Sequence, residues 1–127
     1  MNSQLLSSKD NHRNASNLDY FFVYLKNRYV KVKFDDVIYI EGLKGKGISI
    51  VTEQGDISSS TTMVNFINTK WHPSLERIHR SIIINFNKIL EATEGKITID
   101  NKGDKEILNV SKSYRSTLKK RLNILTT

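Results

Sequence analysis

Residues 82–84, all isoleucine and closed by Asn85, constrain this chain more than any other feature. A short unbroken apolar run reads as a buried strand. Directly before it stand Arg77, His79, Arg80 and Ser81. These cannot all be buried without partners, because desolvating an isolated charge is too costly. Residues 77–85 therefore read as a core strand holding a basic, donor-rich edge out to a partner. In a basic chain the first partner to test is nucleic acid.

Short strand-like segments fill most of the remainder. Residues 21–25 are apolar and aromatic, Lys26-Asn27-Arg28 is a turn, and residues 29–33 alternate with period two, as a half-buried strand does. Phe34-Asp35-Asp36 connects to a strand over 37–41. Residues 42–47 (GLKGKG) read as a loop, relaxed by three glycines and tipped by Lys44 and Lys46. Strands follow over 48–52 and 57–60, separated by a turn. Residues 61–70 are helical in spacing, with Met63, Phe66 and Ile67 on one side and Thr61 or Thr62 as N-cap. Pro73 closes that helix. Further strands are expected near 88–93, 96–100 and 106–110, with turns at 94–95 and 101–104. The last helix starts at Ser111 or Ser113. It stacks Tyr114, Leu118 and Leu122 on one face and carries Lys112, Arg115, Lys119, Lys120 and Arg121 on the other. The whole reads as a mainly β domain with one short internal helix and a C-terminal helix.

The 127 residues suffice for one compact domain. Polar residues 1–18 read as a flexible leader or linker, leaving 19–125 as the domain. Nothing approaches the ~18–20 apolar residues of a membrane span, and residues 1–17 lack a signal-peptide core. No cysteine is present, so disulfides and thiolate chemistry are excluded. A soluble, cytoplasmic protein is expected, with no membrane partner. Net charge is +7 and the pI about 9.7, which favours polyanionic partners. The charge is skewed: residues 101–127 hold seven basic and two acidic groups, so +5 of the +7 lies there.

Catalytic patterns are missing. The histidines (His12, His72, His79) form no HExxH or helical metal pair, and no serine sits in GxSxG. Asp35-Asp36 lies in a tight connector, where a turn role fits best. The GLKGKG loop runs into a strand, not a helix, so it is no nucleotide-binding loop. No enzyme activity, cofactor, metal or small-molecule substrate is expected. For residues 77–85 two readings stand open: an ordinary exposed strand edge, or a donor cluster in which Arg80 and Ser81 meet phosphates and base edges. His79 stands between contact and support, and Asn85 suits a backbone-fixing role.

In order, VIYIEGLKGKGISIVTEQGD, TTMVNFINTKW, LERIHRSIIINFNKI and ILNVSKSYRSTLKKRL resemble the LytTR DNA-binding domain, the output half of many bacterial two-component response regulators. The resemblance spans roughly residues 20–122. It implies an elongated, mostly antiparallel β fold that reads double-stranded promoter DNA through loops and edges at direct repeats. It also implies a homodimer arranged by a receiver domain, which this chain does not contain. The contacts it implies match Lys44 and Lys46, then His79, Arg80 and Ser81, then Lys112, Tyr114 and Arg115. Lys44, Lys46, Arg80 and Lys112 would reach bases or groove walls, while Ser81, Tyr114, Arg115 and Lys119 would hold phosphates. Two departures stand out: position 112 is lysine where arginine is common, and the 42–47 loop lacks the histidine or aromatic residue of some members. The alternative is a basic β module for RNA or an acidic protein; the aromatic stacking platform of a single-strand binder is not obvious in the sequence.

Overall fold

The computed structural model describes residues 18–126. Of the expected leader, residues 1–17 lie outside the described residues. Among the described residues, ten strands form three antiparallel sheets, joined by two α-helices. The five-stranded central sheet comprises β3 (Val37–Leu43), β4 (Gly47–Thr52), β5 (Gly55–Ser59), β6 (Leu75–His79) and β7 (Ile82–Asn85). Its order is β5-β4-β3-β7-β6. A hairpin of β1 (Tyr20–Leu25) and β2 (Arg28–Lys33) forms the second sheet. The third is built from β8 (Ile89–Ala92), β9 (Lys96–Asn101) and β10 (Asp104–Asn109). Helix α1 spans Met63–Lys70 and α2 spans Lys112–Arg121. The mainly β, antiparallel architecture expected from the sequence is thus present.

The central sheet is covered on both faces. Ile40, Ile48, Ile50 and Ile83 pack with Phe21, Val23 and Val32 of the hairpin and Phe66 of α1. Ile38, Val51, Ile78 and Ile84 pack with Ile97 and Ile99 of β9 and Leu118 of α2. The isoleucine run is unbroken for this reason: β7 is an inner strand whose neighbours in sequence enter two different cores. A bulge between Val37 and Tyr39 shifts the register of β3 against β4, which lets Ile38 and Tyr39 both serve the second core. Tyr39 donates its hydroxyl to Glu106 of β10 at 3.2 Å. Burial, then the Glu106 carboxylate, pushes that hydroxyl up to about 12, so it remains a neutral donor between the sheets.

Turn chemistry fixes the hairpins. Lys26 and Asn27 both take positive φ (47° and 66°) between the paired Leu25 and Arg28, the geometry of a two-residue type I′ loop. The Thr62 hydroxyl accepts from the Asn65 amide, so Thr62, of the two threonines considered, is the cap of α1. Asn85 is fully buried. Its side-chain nitrogen donates to the carbonyls of Phe34 (3.1 Å) and Val37 (2.8 Å), and its oxygen accepts from the Asn87 amide. It pins the 3₁₀ turn Phe34–Asp36 to the end of β7.

Replacing Asn85 with alanine removes three hydrogen bonds to backbone groups, each worth about 1 kcal/mol, although the Phe34 carbonyl keeps the Val37 amide and Asn87 is exposed. Urea unfolding of Asn85→Ala is expected to show a loss of roughly 3 kcal/mol with an unchanged slope. A loss below about 1 kcal/mol would show that water or a shifted backbone replaces the amide.

Candidate nucleic-acid interface

Three chain segments meet at one end of the central sheet. The first is the β3–β4 turn. Expected as a six-residue loop over 42–47, it is tighter: Gly42 and Leu43 belong to β3 and Gly47 to β4. The Lys46 amide donates to the Leu43 carbonyl at 2.9 Å, and Gly45 turns the corner at φ 65°. Gly47 is required, because a Cβ there would lie 2.0 Å from the Ser59 carbonyl oxygen. Lys44 and Lys46 are exposed on this turn.

The second segment is the tip between β6 and β7. Residues 77–85 are not one strand with a basic leading edge. Leu75–His79 and Ile82–Asn85 pair with each other, so Arg80 and Ser81 form a hairpin tip. The tip is clamped from inside. His79 Nδ1 accepts from the Ser81 amide at 3.1 Å and lies 3.0 Å from Ser81 Oγ. An amide can only donate, so a neutral His79 carries its proton on Nε2 and the Ser81 hydroxyl donates to Nδ1. Arg77 donates its Nε to the His79 carbonyl (3.3 Å) and an Nη to the Arg80 carbonyl. The same His-x-Ser clamp recurs at His72 and Ser74. Arg80 is left exposed at the apex.

The third segment is the start of α2. Ser111 stands at the N-cap without a side-chain cap bond. The positive helix end there favours an anion. Lys112 is exposed and Tyr114 half-buried, with the Arg77 guanidinium 5.8 Å above its ring.

Two backbone bonds bring the segments together. The Gly42 amide donates to the Ser81 carbonyl, and the Ser111 amide to the Ile78 carbonyl, each at 2.8 Å. A groove of about 370 Å³ runs between the β3–β4 turn, Ser81 and the approach to α1, lined by Lys44, Ser60, Thr62 and Met63 among others. Lys44, Lys46, His79, Arg80, Ser81, Lys112 and Tyr114 therefore share one end of the molecule. Arg115 and Lys119 lean instead toward the β8–β9 turn. Arg115 Nε donates to the Val110 carbonyl at 3.0 Å and its guanidinium lies against Gly95, while Lys119 is 4.0 Å from Glu94.

The wet face expected for α2 is smaller than its sequence indicates. Arg121 donates to the Leu75 carbonyl (2.7 Å), to Glu76 (3.0 Å) and to the Pro73 carbonyl, and it stacks on Phe86 at 4.3 Å. It holds α2 against β6. Arg77, expected in the basic edge held out to a partner, instead turns beneath the tip, where the hairpin pairing sets its side chain against the His79 and Arg80 carbonyls.

The family profile described as LytTr DNA-binding domain matches residues 27–123. The chain belongs to the LytTR family of DNA-binding domains. Strand β1 lies ahead of the matched span. No protein of curated function matches significantly. Among solved structures, the LytTr DNA-binding domain of a Bacillus cereus protein described as a methyl-accepting/DNA response regulator superposes with TM-score 0.65 at 24% identity. That likeness, covering 84% of this chain and 99% of the other, is one of fold. No helix among the described residues of this LytTR domain is long and apolar enough to cross a membrane.

Arg77 is half-buried beneath the tip as a support, so Arg77→Ala should weaken duplex binding roughly 10-fold, the worth of a hydrogen bond to a charged group. The slope of log affinity against log salt should not change, since that slope counts phosphate contacts. A slope reduced by about one would make Arg77 a phosphate contact instead.

Proposed function

We propose that this domain reads double-stranded promoter DNA sequence-specifically, at direct repeats, as the non-catalytic output half of a cytoplasmic bacterial two-component response regulator. A receiver domain joined to it would pair two copies on DNA and bring them under phosphorelay control. Membership of a DNA-binding family supports the general reading. The observation that carries the finer one is the convergence of three short, differently built segments on one edge, held by the two 2.8 Å backbone bonds. Such an edge can follow a groove without a recognition helix.

Within this reading the side chains divide by chemistry. Arg80, with a planar fork on a clamped tip, reads a guanine edge. Lys44 and Lys46 reach into the groove from the first turn. Lys112 offers one charge where a guanidinium would offer two aligned donors, so base discrimination there is weaker. Tyr114 holds a phosphate near the tip, Ser81 reaches another by turning its hydroxyl off His79 Nδ1, and His79 keeps the tip's shape through the Ser81 amide. Arg115 and Lys119 reach backbone phosphate flanking the main contact.

Selection from a random duplex pool tests the reading. Enrichment of a direct repeat is the expected outcome, and no enriched sequence would sink it. On the selected site, Arg80→Ala should cost about 1–3 kcal/mol and relax one base position. Lys119→Ala should weaken selected and random duplexes alike. Equal losses on both duplexes for Arg80→Ala would remove it as a base reader.

A further inference from the structure

The outer face of the β1–β2 hairpin carries six side chains in a two-by-three array. The register pairs Tyr20 with Lys33, Phe22 with Lys31, and Tyr24 with Tyr29. Their neighbours Phe21, Val23 and Val32 point the other way into the core. The outward rings stay open to solvent: Tyr20 is 39% exposed, Phe22 49%, Tyr24 60% and Tyr29 73%. Lys31 lies 4.7 Å above the Tyr20 ring. The array holds four aromatic rings, two ammonium groups, no acid and no aliphatic side chain. Exposing this much ring surface in water is unfavourable unless something covers it.

We propose that this face is a binding surface for single-stranded DNA, separate from the duplex-reading edge. Three rings on alternate residues of β1 repeat every ~6.6 Å, from the strand rise. Bases of an extended single strand can stack on Phe22 and Tyr24, while Tyr20 stands at 87° to Phe22 with Lys31 over its face; sheet-borne aromatics in other folds take two or three bases in this manner. Lys31 and Lys33 stand across the hairpin to meet the phosphates. A protein partner suits the face less well, because a stable protein interface uses roughly 20–30 residues a side and this array has six. DNA, rather than RNA, is the occupant, because the domain belongs to a DNA-binding family and a DNA strand is at hand beside its duplex site. The strand would come from a duplex opened beside the site. No such surface was evident in the sequence, where YFFVYL and RYVKVK read only as apolar and alternating strands.

The test is anisotropy titration of a labelled nine-nucleotide oligothymidylate with the intact chain. Phe22→Ala and Tyr24→Ala remove outward rings and leave the core untouched. Each should weaken binding roughly 5- to 150-fold, the stacking contribution of one base. Both variants should keep wild-type affinity for duplex DNA. The double variant Lys31→Gln/Lys33→Gln should lower the salt slope by about 1.4. Four results would each overturn the proposal. Oligothymidylate binding could be absent or indifferent to both ring variants. Oligouridylate could bind more tightly than oligothymidylate. Polyglutamate could displace the oligonucleotide at equal charge concentration, marking an acidic protein surface. Sedimentation could show self-association of the wild type that Tyr24→Ala abolishes.

Discussion

Ile83 and Ile84 are adjacent in β7, point to opposite faces of the central sheet, and are both fully buried. Each such side chain contributes about 1.5–3 kcal/mol, but only when its own face is covered. One layer cannot cover both. The β1–β2 hairpin and α1 close the first face, and the β8–β10 sheet with α2 closes the second. Asn85 then stops the strand by binding two carbonyls of the chain that leads into β3. The three-layer arrangement, and the place where each connection emerges, follow from this two-sided demand.

The candidate interface inherits its rigidity from that core. Its parts are turns and a helix start, which are mobile when isolated, yet each is bonded to a strand of the central sheet. Gly42 of β3 holds Ser81, and Ile78 of β6 holds Ser111. The net charge of +7 overstates the cation available to a partner. Arg121 is occupied by carbonyls and Glu76, Arg77 supports the tip, and Arg115 gives its Nε to Val110. Arginine suits this internal work because its fork satisfies several carbonyls at once. The exposed lysines keep their charge for solvent or ligand.

Much of the fold was legible because its signals are local. Period two marks β2, helical spacing with Thr62 marks α1, and the isoleucine run marks an inner strand. The tip at Arg80-Ser81 was not legible as a turn. It contains no glycine, proline or asparagine, the residues that announce turns. Its shape comes from the His79 ring and the Arg77 guanidinium, contacts that exist only once β6 pairs with β7. The hairpin's outer array was hidden for a related reason. Alternation along YFFVYL shows that one side faces out, but only the cross-strand register shows that its rings align with Lys31 and Lys33. Arg121 misled for the opposite reason: helical position made it a solvent cation, while its length lets it reach back over β6.

Clamping of the tip bears on how specificity and affinity divide along the edge. A long side chain loses up to ~2 kcal/mol of rotamer freedom when it is fixed on a ligand. Lys44 and Lys46 incur that cost on a glycine-bearing turn whose own backbone must also settle. Arg80 rises from a tip already fixed by four hydrogen bonds from Arg77 and between His79 and Ser81. Under the proposed reading less is lost when its fork engages a base, so a larger share of each hydrogen bond would survive as discrimination. The lysines, as flexible point charges, gain chiefly from counterion release, which is blind to sequence. A sequence-specific DNA reader needs both kinds of contact. Here the sheet supplies the rigid one at the centre and leaves the adaptable ones at the margins.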